Sequence, residues 1–386
     1  MHVGYLYPFR AFPPKGGNHT HAYHLIRELQ ALGVSIHTLD DPTVAGVVCH
    51  GLSPAGTAAF LAAIDLLYVR LDANPLDHST VEVMQATRAP VVWEINAPAN
   101  ERLAFSWLGG DRSEPLTSSG RRVDHARRWL HAARQQPAIA REERIRSRQA
   151  RRVRSAICVS DAVGRYAVEG LGLADIEVIP NGTDAILNHP DRAPAELPDR
   201  FADHFTVMYA GSPVYPWQGL DVIARAIALH AASPTVPVLF LLLLNQPAGM
   251  LPAAENVLVL EGVPNEEVGA FCAAADACIT IHKDFFWSRW GAHGSPTKLF
   301  DYLGCGRAVI GSDLGQVRDV ILGADAGVLF DNTPAGLLEA IRSLAGNRER
   351  CRAMGWNGRR AVVERYHWGH VAERTLAVFE RALARR

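Results

Sequence analysis

The sequence predicts an α/β protein built from two doubly wound, Rossmann-like halves with a cleft between them. Short apolar runs alternate with amphipathic helical stretches, the pattern of parallel sheets covered by helices. The rhythm occurs twice, interrupted by Asn188-His189-Pro190-Asp191-Arg192-Ala193-Pro194-Ala195-Glu196-Leu197-Pro198, a linker with three prolines and no periodicity. At 386 residues, 48% apolar and 20% charged, the chain is long enough for two domains of ordinary size. In the first half, strands are expected at 2–7, 34–39, 66–70, 90–95, 155–160 and 176–179. In the second they are expected at 205–211, 238–244, 257–260, 277–282, 308–311 and 327–330. The domains implied are 1–187, a linker 188–203, and 204–365, with a last helix 366–386 whose apolar stripe suits packing back on the first domain.

Composition narrows the function. A net charge of −1 gives no global reason to expect nucleic acid or an anionic membrane. Six scattered cysteines without a Cys-x-x-Cys pair read as reduced core residues rather than a disulfide frame or zinc site. The N-terminus lacks the basic start and long apolar stretch of a signal peptide, and the longest apolar run, Val238–Leu244, is too short to cross a bilayer. A cytoplasmic protein is expected.

Along the chain, the first strand leads to Pro13-Pro14-Lys15-Gly16-Gly17 and a helix carrying His21, Leu25, Leu29 and Leu32 on one face, closed by Gly33. Tandem glycines at such a turn let backbone approach a ligand; a plain turn is the alternative, and His21 caps, packs or lines the site. The strand at 90–95 ends in Trp93-Glu94-Ile95-Asn96-Ala97-Pro98, followed by Glu101: turn formers or ligands. Residues 121–154 hold twelve arginines against Asp124, Glu142 and Glu143. That is either a solvated helix face or a surface that recruits anionic lipid or a phosphorylated acceptor. The second domain opens with Gly211-Ser212 and Trp217-Gln218-Gly219. Gly262-Val263-Pro264 is a turn, and His282 to Trp290 is a loop whose four aromatics, with Lys283 and Arg289, are expected to line a ligand.

The organising stretch is His293-Gly294-Ser295-Pro296-Thr297-Lys298-Leu299-Phe300-Asp301-Tyr302-Leu303-Gly304. Ser295 reads as an N-cap with Pro296 at the first helical position and Gly304 at the C′ position. The positive helix end then faces Gly294 and Ser295, with Lys298 in its first turn: an anion site, or an ordinary capped helix ahead of a core strand.

This stretch, continued through Cys305-Gly306-Arg307-Ala308-Val309-Ile310, resembles the donor-binding signature of the family 4 glycosyltransferases of GT-B fold. Gly16-Gly17-x-x-x-His21 and Glu94-x-Asn96-Ala97-Pro98 are similar to the family's glycine loop and acceptor-side segment. The resemblance implies transfer of a sugar from a nucleotide-sugar to a hydroxyl acceptor with retained anomeric configuration. Without an Asp-x-Asp motif, no metal or other cofactor is expected. It implies donor contacts from Gly17, Ser212, Gln218, Val263, Lys283, Gly294, Ser295, Pro296 and Thr297, and acceptor contacts from Gly16, His21, Glu94 and Glu101. It implies catalytic roles for Lys298, Asn96 and Arg289. The family's two acids, one for the donor sugar and one for the ribose, fall on His293 and Asp301. Its usual cations fall on the neutral Ser212 and Gln218, leaving Lys298, Lys283 and Arg289 as substitutes. A hydrolysing nucleotide-sugar epimerase and a non-catalytic nucleotide-sugar binder are the alternatives.

Overall fold

The computed structural model describes residues 1–7, 12, 16–108 and 118–385. Its N-terminal sheet comprises β1 (His2–Leu6), β2 (Ser35–Thr38), β3 (Val48–Cys49), β4 (Leu66–Leu71), β5 (Val91–Ile95), β6 (Val153–Cys158) and β7 (Ile176–Val178). The order is β3-β2-β1-β4-β5-β6-β7. The C-terminal sheet comprises β8 (Phe205–Gly211), β9 (Val238–Leu244), β10 (Val257–Glu261), β11 (Ala277–Thr280), β12 (Ala308–Ser312) and β13 (Gly327–Phe330), ordered β10-β9-β8-β11-β12-β13. Adjacent strands are parallel in both sheets. The twelve expected strands are present within a few residues. Only β3 escapes the pattern: two residues at an exposed sheet edge carry too little periodicity to read.

All seven residues of β9 are buried, which is why they form an unbroken apolar run: helices cover both faces of a parallel sheet. In each sheet the strand order reverses between the first and fourth strands (β1 and β4, β8 and β11). That reversal opens a crevice at the carboxyl ends of the strands.

The last helix and the start of the linker both tie into the body of the molecule. The last helix, Trp368–Ala384, lies on the first helix, Gly16–Ala31, with Trp368, Val371 and Phe379 in one apolar cluster with Tyr5, Leu25 and Tyr68. The linker is anchored where it begins. Arg359 Nη1 donates to the carbonyls of Ala185 (3.1 Å), Asn188 (2.9 Å) and Gly304 (3.1 Å), so the stretch from Asn188 is not the free coil its prolines suggest. None of the six cysteines is paired; five are buried, but Cys49 is exposed on the edge strand and is no core residue.

Candidate functional site

The donor-motif helix runs Thr297–Gly304, and its caps differ from the expected ones. Pro296 is itself the cap residue, extended at ψ 115°. The Ser295 hydroxyl accepts instead from the Asn181 backbone N–H at 2.9 Å, so it is spent on a tertiary bond. At the other end Cys305 caps and Gly306, at φ +67°, takes the left-handed position. Arg307 N–H donates to Tyr302 O (3.1 Å) and Gly306 N–H to Leu303 O (3.0 Å), a Schellman closure. Gly304 is small for another reason: a β-carbon there would stand 3.1 Å from Asn188 O.

Gly16 and Gly17 begin the first helix rather than the turn before it, and Pro13-Pro14-Lys15 lie outside the described residues. A β-carbon at Gly17 would stand 3.7 Å from Thr297 Oγ1. Two helix N-termini, one from each domain, therefore meet at the cleft with their free N–H groups and positive dipole ends converging.

Lys298 supplies the formal charge beside them. Its Nζ donates to Gln218 Oε1 at 3.0 Å and lies 4.5 Å from the centre of the Tyr209 ring. Gln218 Oε1 also accepts from Ser212 N–H (3.1 Å) and from Tyr209 Oη (3.2 Å), so the amide is a hub that positions the lysine. A β-carbon at Gly211 would run into this hub. Burial lowers Lys298 to a pKa of about 7.

The other expected cations go elsewhere. Lys283 Nζ pairs with Asp221 Oδ1 at 2.6 Å, and the exposed Arg289 lies 4.0 Å over the Trp290 ring. Neither bonds Ser212, Gln218 or Lys298 among the described residues. The aromatic loop is a domain seam rather than a ligand wall: Phe285 is buried and Trp290 packs into the N-terminal core. Trp287 Nε1 donates to Asn100 O across the cleft (3.2 Å), and only Phe286 is freely exposed.

Glu94, expected to contact an acceptor, is not a cleft-lining group. It is buried in the N-terminal sheet, accepting from Tyr68 Oη (2.6 Å) and Asn96 Nδ2 (2.9 Å), with Arg70 Nη1 at 3.4 Å. Burial opposes its charge, yet Arg70 outweighs it and holds the carboxylate well below the usual range. Arg70 Nη2 also donates to Asn96 Oδ1 at 3.1 Å, so both ends of the Asn96 amide are gripped. His21 Nε2 sits 3.0 Å from Glu94, and its Nδ1 faces Asn181 Oδ1 at 2.7 Å. Burial, then the Arg70 charge, hold the His21 pKa down. Asn181 Nδ2 in turn donates to Ser295 O. A polar chain thus runs Glu94–His21–Asn181–Ser295, from the heart of one domain to the donor loop of the other.

A second crossing joins His293 to Glu101, which stands on the turn Ala99–Leu103 after β5. His293 Nε2 lies 2.7 Å from Glu101 Oε2 and Nδ1 3.0 Å from Gly291 O. Both partners are oxygen acceptors, one on each side of the ring. Asp301 reaches the hinge: its Oδ1 accepts from Thr183 Oγ1 (2.6 Å) and Asn188 Nδ2 (3.1 Å). Burial raises its pKa to about 7 against the Thr183 bond. Val263 is half-buried after the positive-φ turn at Gly262.

Residues 230–377 match the glycosyl transferase-like family model. Two curated relatives come from Mycolicibacterium species. An MMP α-(1→4)-mannosyltransferase of M. hassiacum is 27% identical, over 62% of this chain and 57% of its own length. A phosphatidyl-myo-inositol mannosyltransferase of M. smegmatis is 29% identical, over 58% and 56%. The chain thus spans little more than half the length of these relatives. In fold it is similar, end to end, to sucrose-phosphate synthase of Thermosynechococcus elongatus (TM-score 0.68, 14% identity, all of both chains). The same holds for the Anabaena protein Alr3699/HepE solved with UDP and glucose (TM-score 0.67, 14% identity, 99% of this chain and all of that one). The C-terminal part of the chain is thus similar to glycosyl transferase-like proteins, and the whole chain has the two-domain GT-B fold.

Of the residues singled out in the sequence, the structure brings Gly17, Thr297, Lys298, Ser212 and Gln218 to one place. It leaves Lys283 and Arg289 out of that group. Four participants escape sequence reasoning. Arg70 is visible only as the one charge inside the apolar strand Leu66–Leu71. Asn181 is visible only as a turn residue, and Tyr209 as a core ring. The fourth, His282, has its ring against Gly294, where a β-carbon would collide with it. Its Nδ1 faces Lys283 O at 3.1 Å, and burial, then His293, lower it to about 4, so it stands neutral beside the donor loop.

Proposed function

We propose that the chain moves a sugar from a nucleotide-sugar to a hydroxyl acceptor with retention of anomeric configuration and without a metal ion. The observation that carries this reading is the meeting of two helix N-termini, at Gly17 and Thr297, beside Lys298 at the carboxyl ends of both sheets. A diphosphate laid there meets free N–H groups from both domains and an ammonium. Negative charge grows on the leaving oxygens as the bond to the anomeric carbon breaks, so donors fixed at that point favour the transition state over the ground state. With its pKa near 7, Lys298 is only partly charged in the free protein, and an arriving dianion favours its ammonium form.

The acceptor oxygen then bonds to the anomeric carbon on the face the phosphate leaves. Its proton passes to the departing phosphate oxygen, so the step balances without a protein base. Asn96, gripped at both ends, orients ligands and transfers no proton. Asp301 offers the ribose its carboxylate, and the His293–Glu101 pair closes the sugar end of the cleft.

The names of the relatives, one of them GDP-mannose-dependent, make GDP-mannose the first choice for a donor panel. UDP-glucose, bound to a structural neighbour, comes next. The test is to incubate the protein with such donors and hydroxyl acceptors, with and without EDTA, and follow nucleotide release and product anomer by NMR. Acceptor-dependent release with a retained anomer in EDTA is expected. An inverted product, a free altered sugar, or activity restored only by magnesium or manganese each sinks part of the reading.

A further inference from the structure

The helix Ser118–Ala150 does more than connect β5 to β6. Its inward face buries Ala132, Ile139 and Arg146. At about 100° per residue, positions seven apart drift only about 20°, so Arg127, Arg134, Arg141 and Arg148 form one stripe opposite that buried face. All four are exposed, and the stripe is about 30 Å long at 1.5 Å per residue. The helix's acids do not balance it. Glu142 is bonded inward to Arg146 Nε (2.9 Å) and Leu76 N–H (3.0 Å), and Glu143 to Tyr166 Oη (2.7 Å). Asp124 is half-buried against Arg128 (2.8 Å). From 124 to 154 the fully exposed formal charges are all arginine, in a chain whose net charge is only −1.

At the N-terminal half of this helix the basic stripe meets apolar surface. Trp129 and Leu130 are 58% and 59% exposed, and Phe286, on a loop of the other domain, is 66% exposed. Trp107 bridges the two, with its ring 5.7 Å from Trp129 and 5.6 Å from Phe286. Large side chains left together in water mark an interaction surface.

We propose that this face docks the protein on an anionic lipid bilayer, with the ring cluster set at headgroup depth and the arginine stripe lying along the phosphates. Charge complementarity argues for this occupant, since segregated arginines match a surface of anionic headgroups. The arrangement of the rings argues for a bilayer over a nucleic acid. Single-stranded polymers are bound by aromatics interleaved along the basic track, whereas here they sit at one end, with an aliphatic leucine, as interfacial anchors do. Trp107 follows β5 and Phe286 follows β11, so the docked surface adjoins the cleft mouth. Docking stands apart from the transfer chemistry. Only delivery of a lipid-borne hydroxyl to the cleft rests on the function proposed above.

The test is cosedimentation of the full chain with vesicles of phosphatidylcholine, alone or with about a third phosphatidylserine. Binding to the anionic vesicles alone is expected at about 0.1 M salt, with release by about 0.5 M. The triple variant Arg127→Gln/Arg134→Gln/Arg141→Gln should partition on the order of a hundredfold more weakly. Trp129→Ser should also weaken partitioning, while nucleoside diphosphate binding, measured separately, stays intact in both variants. Absence of binding to anionic vesicles overturns the proposal, as does undiminished binding by the triple variant. Retention of a single-stranded oligonucleotide at salt that strips the vesicles would assign the stripe to nucleic acid instead.

Discussion

The C-terminal sheet keeps charge out of its middle, whereas the N-terminal sheet runs an ion pair through its own. No buried strand residue of β8 to β13 is charged; the working groups hang from strand ends and from one helix N-terminus. In the N-terminal sheet Arg70 of β4 and Glu94 of β5 are direct register partners, both buried, and they tie Tyr68, His21 and Asn96 into one network. The two halves thus prepare a site differently. The C-terminal half presents backbone N–H groups at one helix end and one lysine set by the Gln218 amide. The N-terminal half presents side chains whose directions depend on a charge pair held across two strands. Buried pairs add little net stability but punish the loss of one partner.

The sharpest way to break this contrast is Arg70→Met. It leaves the Glu94 carboxylate buried without its main counter-charge, and a loss of about 3–5 kcal/mol in unfolding free energy is expected from urea denaturation. Arg318→Ala, at the surface of the other domain, should stay within about 0.5 kcal/mol. A loss under about 1 kcal/mol for Arg70→Met would mean that the network relaxes and does not hold Asn96 in place.

Next in size is Lys298→Ala. Its ammonium is the charge held at the meeting of the helix ends, so turnover should fall on the order of a hundredfold, with a smaller rise in the donor Michaelis constant. Lys283→Ala and Arg289→Ala should turn over nearly normally, because Asp221 and the Trp290 ring already occupy those cations. A dead Arg289→Ala beside a normal Lys298→Ala would move the charge to the seam loop.

The same contrast explains what the sequence makes legible. Parallel strands covered on both faces read as apolar runs, so twelve of thirteen can be placed. The helix at Thr297–Gly304 is legible because its signals are local, although its caps shift once Ser295 bonds Asn181 instead. The pairings Glu94–Arg70, His293–Glu101 and Lys298–Gln218 join residues 24, 192 and 80 positions apart. No periodicity carries that information. Nearness in sequence suggests roles for Arg289 and Lys283, but Lys283 pairs with the distant Asp221 and Arg289 lies over the neighbouring Trp290 ring.

Asp301→Asn tests the hinge end of the donor site and should produce two opposite effects. Nucleotide affinity falls, since a charged hydrogen bond of about 1.5–3 kcal/mol is lost. Stability rises at pH 8. The carboxyl is raised from 3.8 to about 7 in the fold, so below pH 4 it is protonated in both folded and unfolded chains and costs nothing. Between 4 and 7 only the unfolded chain ionises, so the native fold loses stability as pH climbs, and the loss is complete above 7. Asparagine escapes that loss and still offers an oxygen to Thr183 and Asn188. The melting temperatures of the two proteins should therefore converge at pH 4 and separate by pH 8. Unchanged nucleotide affinity in the variant would leave Asp301 as a hinge residue only.

The smallest expected effect belongs to Glu101→Gln, and it bears on whether the seam works on chemistry or on closure. Glu101 and His293 stand on different domains, and each domain keeps its own apolar core. Removing the charge turns a charge-assisted bond into a neutral one, a loss of about 1 kcal/mol borne by the closed arrangement rather than by either core. The apparent donor Michaelis constant should then rise about fivefold, because only the closed fraction binds productively. Turnover at saturating donor and the melting temperature should change little. The introduced side-chain amide can still present its oxygen or its N–H₂ to His293 Nε2. If Glu101→Gln instead lowers turnover a hundredfold with an unchanged Michaelis constant, Glu101 touches the reacting sugar. The N-terminal half would then supply a catalytic carboxylate directly, beside His293.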